Sequence, residues 1–172
     1  VLPSNIPEIV PCLAFVLLQI PLTLTILQIL AVDLGTDIVP ALGLGAEPPE
    51  PDVMARPPRS SRRGLVDRAL LGRAYLFLGP FEAAGALAAY FFVLRTGGWR
   101  WGDTLAADVP LYRQATTACL TAIVVMQMVN VYLCRSERAS VTARRLADNR
   151  LIVLGLAVEV AAILLIDYTP LG

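Results

Sequence analysis

Residues 22–46 read LTLTILQILAVDLGTDIVPALGLGA, an apolar stretch whose only charged members are Asp33 and Asp37. A helix that crosses a bilayer needs about 20 mostly apolar residues, so this stretch predicts a transmembrane helix. Gly35 weakens the helix between the two aspartates, and Pro40 cannot donate a hydrogen bond to the turn before it. The span is therefore predicted to be broken near Gly35. Broken backbone inside a membrane is tolerated where it is buried in protein or lines a cavity.

The rest of the chain follows the same apolar pattern. Of its 172 residues, 56% are apolar and 16% are charged, whereas soluble domains have about 45–50% apolar and 25% charged residues. Five apolar stretches are separated by polar ones, at residues 4–20, 22–46, 70–95, 114–134 and 150–168. We predict an all-α, polytopic transmembrane helical bundle of about five spans. It divides into a helical hairpin at 1–47, a loop at 48–69 and three further spans at 70–172.

The arginines predict the orientation of the bundle. All 14 basic residues are Arg, and 11 of them lie in or beside the loop at 48–69 and the loop before the fifth span. Only Arg95, Arg100 and Arg113 lie on the other side. The positive-inside rule places the arginine-rich side in the cytoplasm. We therefore expect an integral membrane protein with its N-terminus and the loop at 48–69 on the cytoplasmic side. The plasma membrane is the expected location.

Composition also excludes several kinds of site. The chain has no His, which excludes His-based catalysis and His metal sites. Cys12, Cys119 and Cys134 are an odd number without Cys-x-x-Cys spacing, so neither a disulfide framework nor a zinc site is expected. The formal net charge is zero, and no nucleic-acid partner is expected. A start without Met and an abrupt end after the fifth span are typical of a fragment of a longer chain.

Carboxylates inside the spans are the candidate functional groups. An ionised group at mid-bilayer costs about 2.5–3.5 kcal/mol. Such groups are predicted to face one another, a water-filled cavity or a bound cation. They are Glu8, Asp33, Asp37 and Glu159. The first three are predicted to come within reach of one cation or one bridging water.

The spacing of the first hairpin supports this convergence. Ser4, Asn5 and Glu8 are three or four residues apart and share one helical face. Glu8 lies 13 residues before Pro21 and Asp33 lies 12 after it, so both reach similar depths across a tight corner at Pro21. Carboxylates and freed carbonyls are hard oxygen ligands, which suit calcium, sodium or potassium rather than soft metals.

Polar residues also lie in the later spans. Gln127 and Asn130 are one turn apart, and amides in spans often serve only to join helices, so both roles stay open for them. Glu159 is expected near mid-membrane. Without a cation it should be protonated and hydrogen-bonded, to Gln127 or to a backbone carbonyl. Glu82 stands among small residues and is predicted to be a packing residue.

Two motifs carry a resemblance to a known family. They are SNIPE at residues 4–8 and ILAVDLGTD at residues 29–37. They resemble the fifth and sixth transmembrane helices of the type II P-type cation-transporting ATPases, which include the sodium/potassium, proton/potassium and calcium pumps. The resemblance continues through PPEPDVM at 48–54, VMQ at 125–127, CRSER at 134–138 and GLAVE at 155–159.

The resemblance implies that the chain holds the fifth to ninth helices of such a pump, with the tenth missing. The main cation sites would then be formed by Ser4, Asn5, Glu8, Asp33 and Asp37, with Thr36 beside the aspartates. Gln127 and Glu159 match positions at or near the extra sodium site of the sodium/potassium pump. Asn130 stands where that pump has an aspartate.

The implied cargo is a transported cation, sodium, potassium, calcium or a proton, without a choice among them. Magnesium and ATP would act only through domains that this chain does not contain, because the Asp-Lys-Thr-Gly-Thr phosphorylation motif is absent from its sequence. The expected partners are the lipid bilayer and the N-terminal and cytoplasmic domains of the same pump. By itself the chain is not expected to hydrolyse ATP.

Two other functions compete with a translocating module that binds cations in alternating access. One is a standalone, non-catalytic membrane protein with a regulatory or channel-like role. The other is an intramembrane enzyme that binds magnesium and a prenyl diphosphate through Asp33 and Asp37. This enzyme would need a second acidic cluster and basic residues at the same depth, and the sequence has neither.

Overall fold

The computed structural model describes residues 5–49, 53–55, 66, 68–135 and 149–168, and their regular structure is entirely helical. The α-helices are α1 (Ile6–Leu18), α2 (Ile26–Ala31), α3 (Ile38–Gly45), α4 (Arg68–Gly72), α5 (Gly79–Thr96), α6 (Pro110–Leu133) and α7 (Arg150–Tyr168). A π-helical segment, Val32–Thr36, joins α2 to α3, and a second one, Arg73–Leu78, joins α4 to α5. Val53–Ala55 forms a single 3-10 turn. The predicted all-α bundle is confirmed.

The helices coincide with the five predicted stretches but differ in length. Within the described residues, three helical stretches are long and apolar enough to cross a membrane, namely Ile26–Gly45, Leu70–Thr96 and Pro110–Leu133. Helix α1 has 13 residues, so it is about 20 Å long against a bilayer core of about 30 Å. Helix α7 has 19 residues and matches the fifth predicted stretch.

The predicted break in the second span is confirmed. In the π-helical segment Val32–Thr36 the Asp37 amide donates to the Val32 carbonyl, five residues back, at 3.1 Å. The hydroxyl of Thr36 donates to the same carbonyl at 2.8 Å. The wider π turn precedes Pro40, which lacks an amide hydrogen and whose ring would crowd a regular turn. The break is therefore a wide turn with bonded backbone rather than an unwound segment.

A second break, in the third span, was not predicted. Residues Arg73–Leu78 are π-helical, and the Gly79 amide donates to the Ala74 carbonyl at the end of that segment. Pro80 follows directly. Both π-helical segments thus end within four residues before a proline, which is where a proline disturbs a regular helix.

The turn of the first hairpin is wider than the corner predicted at Pro21. It runs over residues 19–25 between α1 and α2. Helix α2 begins at a capping box, in which the Thr25 amide donates to Gln28 Oε1 at 2.9 Å and the Gln28 amide donates to Thr25 Oγ1 at 3.3 Å. The buried Tyr90 of α5 donates its hydroxyl to the Pro21 carbonyl at 2.9 Å. These bonds fix the hairpin turn against α5.

Helix α5 packs on α6 and α1, and α7 packs on α3 and α6. Helices α3 and α7 come close to each other at two glycines. A Cβ atom added at Gly43 would lie 3.0 Å from the Ile152 amide nitrogen, and one added at Gly155 would lie 3.1 Å from the Pro40 nitrogen. The two backbones are therefore in direct contact, which is how small residues pack helices inside membranes.

Candidate functional site

Three glutamates from three helices are buried inside the bundle. Glu8 of α1 is 8% exposed, Glu82 of α5 is 4% exposed and Glu159 of α7 is 1% exposed. Glu8 Oε1, Glu82 Oε2 and Glu159 Oε2 have no hydrogen-bond partner within the described part of the chain. Buried polar atoms are almost always hydrogen-bonded, to protein or to water. Three such oxygens in one small bundle therefore indicate a region suited to water or a cation.

Asp37 connects these glutamates electrostatically. It is half-buried at the end of the break in the second span, and it lies within electrostatic range of Glu8, Glu82 and Glu159. Asp33 is also within range of Glu8. Carboxylates that interact in a low-dielectric interior repel one another, so ionising all of them is unfavourable unless a proton or a cation lies among them. We call Glu8, Asp37, Glu82 and Glu159 the acidic centre.

Thr36 and Gln127 extend the acidic centre to α6. Both side chains are buried, and Thr36 Oγ1 lies 3.4 Å from Gln127 Oε1. Nε2 of Gln127 has no hydrogen-bond partner among the described residues. Oδ1 of Asn130, in contrast, accepts a hydrogen bond from Cys134 Sγ at 3.4 Å, four residues further along the chain. Of the two amides predicted in this span, Gln127 is the one in contact with the break.

Of the other predicted site residues, some lie on the surface of the bundle and one lies outside the residues that the structure describes. Asn5 is exposed just before α1, and Asp33 is exposed on the π-helical segment. Ser4 lies outside the described residues, as does most of the loop predicted at 48–69. The structure therefore brings Glu8, Thr36, Asp37, Gln127 and Glu159 into the interior of the bundle, and it leaves Asn5 and Asp33 on the outside.

For two geometric predictions, the first of the two predicted alternatives is not found among the described residues. Within the part of the chain that the structure describes, no group of three or more acidic or Cys side chains is close enough to hold a metal ion. Glu8, Asp33 and Asp37 thus do not close directly around one cation. The predicted hydrogen bond between Glu159 and Gln127 is also absent, because Glu159 Oε2 and Gln127 Nε2 have no hydrogen-bond partner among the described residues. The alternative in which one water bridges Glu8, Asp33 and Asp37 stays a prediction.

Sequence reasoning missed a polar network at one end of α3. Arg135 donates to Glu47 Oε1 from Nη2 at 2.9 Å and from Nε at 3.2 Å. Asn149 donates through Nδ2 to Glu47 Oε2 at 2.7 Å and to the Gly43 carbonyl at 2.9 Å. Asn149 Oδ1 also accepts the Leu151 amide at 3.0 Å, which caps α7. The sequence signal for this network is that an acid, Glu47, and an arginine, Arg135, stand at the ends of two different spans on the same side of the membrane.

These observations define the class of protein: an integral membrane protein made of apolar helices around a carboxylate-lined interior. Residues 21–172 match the model of the family described as "Cation transporting ATPase, C-terminus". The chain belongs to this family and is a C-terminal region of a P-type cation ATPase.

Its relatives include sodium/potassium-transporting ATPase subunits alpha-3 of Homo sapiens, alpha-4 of Rattus norvegicus and alpha-2 of Gallus gallus. The chain is 34% identical to each over 194 residues, covering 98% of this chain. It spans 19% of the length of these relatives. The resemblance seen in the motifs is thus confirmed at the level of the family.

Proposed function

We propose that the chain is the cation-translocating membrane part of an ATP-driven type II P-type pump, and that the acidic centre binds its cargo. The observation that supports this most is the set of buried carboxyl oxygens of Glu8, Glu82 and Glu159, unpartnered within the described residues and within range of Asp37. A cation or a proton among them would offset their repulsion.

The ligands that this interior offers are oxygens. The proton of Thr36 Oγ1 goes to the Val32 carbonyl at 2.8 Å rather than to Gln127 Oε1 at 3.4 Å. A half-turn of the Gln127 amide would let its Nε2 donate to Thr36 and would present Oε1 as a further oxygen ligand. Such a set suits sodium, potassium or calcium. A proton could replace the cation on a buried glutamate.

The exposed site residues fit a larger assembly. Asn5 and Asp33 face outward from this bundle, and the relatives are about five times longer than the chain. We propose that helices from the rest of the pump cover these two residues and complete the site. ATP and magnesium would act through the phosphorylation and nucleotide-binding domains of the full-length pump. The cation site would open alternately to each side of the plasma membrane. The arginine-rich side would face the cytoplasm.

The test is to express the complete reading frame that contains this chain and to measure ATP hydrolysis with sodium, potassium and calcium chlorides added separately, at several pH values. We expect one of these cations, or the pH, to stimulate hydrolysis. The purified 172-residue chain in liposomes should then show no ion flux. Ion flux through the chain without ATP, together with a frame that lacks the Asp-Lys-Thr-Gly-Thr motif, would instead support the standalone, channel-like alternative.

Glu159→Gln is expected to change the cation affinity or the pH dependence of transport while the folded pump accumulates normally. The amide keeps the shape of the side chain but loses its charge and its titratable proton, and the site is almost fully buried. The measurement is cation-stimulated ATPase activity against cation concentration and pH. If Glu159 only joins helices, Glu159→Gln should behave as wild type and only Glu159→Ala should weaken folding. Unchanged cation and pH dependence in Glu159→Gln would refute its role in the pathway.

A further inference from the structure

We propose that Glu47, Arg135 and Asn149, which we call the polar clamp, hold three helices at the relative depths that the acidic centre requires. The clamp joins the end of α3, the end of α6 and the start of α7. Asp37 directly precedes α3, Gln127 lies in α6 and Glu159 lies in α7. The inference rests on the proposed function and adds positioning residues to it, none of which would touch the cation.

The geometry of the clamp is that of a rigid contact. The guanidinium of Arg135 binds one oxygen of Glu47 through two nitrogens, and Asn149 binds the other oxygen. The side chains of Arg135 and Glu47 are only 2% and 10% exposed. Charge-assisted hydrogen bonds of this kind are directional as well as strong. A shift of one helix along its axis would break at least one of these bonds.

The clamp lies at a matched distance from the acidic centre on all three helices. Glu47 comes ten residues after Asp37, and Asn149 comes ten residues before Glu159. Arg135 comes eight residues after Gln127. At the helical rise of about 1.5 Å per residue, these separations are about 15, 15 and 12 Å. Fixing one end of the three helices therefore fixes the depth at which the polar groups of each helix lie.

Helix α6 depends on the clamp more than α7 does. Helices α3 and α7 are already locked by backbone contact, at Gly43 with Ile152 and at Pro40 with Gly155. Near the break, α6 is joined to the second span by the 3.4 Å contact between Thr36 and Gln127, which is too long to be strong. The Arg135 bond to Glu47 is the ion pair that ties the end of α6 to α3. Losing it should displace Gln127 relative to Asp37.

The experiment compares Glu47→Gln, Arg135→Gln and the double variant in the full-length pump. The readout is the concentration of the activating chloride salt, of sodium, potassium or calcium, that gives half-maximal ATPase activity. We expect each single variant to raise it by roughly 2- to 30-fold, the range for substitutions that act through a coupled network. The double variant should show about the same shift as either single one, because contacting residues act as a unit. Arg95→Gln, an exposed arginine in the last turn of α5, is the matched control and should not shift it.

A milder variant keeps the test decisive if a buried charge left alone prevents folding. Asn149→Ser keeps an oxygen that can cap α7 but loses the donor to Glu47 and to the Gly43 carbonyl. It should shift the half-saturating concentration in the same direction by less. A clamp that only stabilises the fold would lower the amount of folded pump and leave its cation affinity unchanged. Either that result or additive shifts in the double variant would overturn the inference. If Asp37→Asn in parallel also leaves cation dependence unchanged, the proposed function fails; if Asp37→Asn changes it and the clamp variants do not, only the clamp inference fails.

Discussion

Asp37→Asn should raise the cation concentration for half-maximal ATPase activity of the full-length pump by roughly 10- to 100-fold, because losing one charge-assisted oxygen ligand costs about 1.5–3 kcal/mol. Asp37 is the carboxylate within range of Glu8, Glu82 and Glu159, so its charge acts on every part of the acidic centre. The measurement is ATPase activity against the concentration of sodium, potassium or calcium chloride.

The same substitution should not weaken the fold. It removes the carboxylate that repels Glu8, Glu82 and Glu159, so the thermal unfolding temperature of the pump in detergent should be unchanged or higher. Asp108→Asn is the matched control, because Asp108 is an exposed aspartate in the connection between α5 and α6. It should leave both cation dependence and unfolding temperature as in wild type. A normal cation affinity in Asp37→Asn would contradict the proposed site.

Gly155→Leu should destabilise the bundle by about 1–3 kcal/mol or more, the cost of overpacking a close contact. A Cβ at this position would lie 3.1 Å from the nitrogen of Pro40 and 3.2 Å from its Cα. These are backbone and ring atoms that cannot rotate away, so α3 and α7 must separate. The measurement is the unfolding temperature in detergent, together with the yield of folded protein.

Gly45→Leu provides the matched control for this change. Gly45 is also a helical glycine, in α3, but a Cβ there would meet nothing within 4 Å. The two variants add the same side chain to the same kind of residue and differ in the contact that it meets. Equal losses of stability in the two variants would show that the α3–α7 crossing is not the cause.

Local chemistry made the helices and one break predictable. The apolar stretch at 22–46 is long enough to span a membrane, and Pro40 disturbs the turn before it whatever the helix packs against. Pro80 carries the same signal in the third span, where the π-helical segment Arg73–Leu78 precedes it. That break could have been predicted by the same argument. It went unpredicted because the composition of 70–95 favoured one uninterrupted span.

Long-range contacts were not predictable from the same kind of pattern. Glu47 meets Arg135 across 88 residues and Asn149 across 102 residues. Nothing in the local sequence around any of them specifies the others. The position of Glu82 near Asp37 depends likewise on which face of α5 turns inward. Helix rotation decides such contacts, and it is set by packing at positions such as Gly43 and Gly155 rather than by the spacing of the polar residues.

The contact between Asn149 and the Gly43 carbonyl also sets a waiting time during synthesis. The two residues are 106 positions apart, so at about 5–20 residues per second α3 leaves the ribosome about 5 to 20 s before the residue that binds it. During most of that interval the span with two aspartates has neither its α7 neighbour nor Arg135, which follows Glu47 by 88 residues. We therefore expect the membrane-insertion machinery to hold this hairpin until α7 arrives. A chain shortened before Asn149 should be released with the hairpin unprotected and should be degraded faster than the complete one.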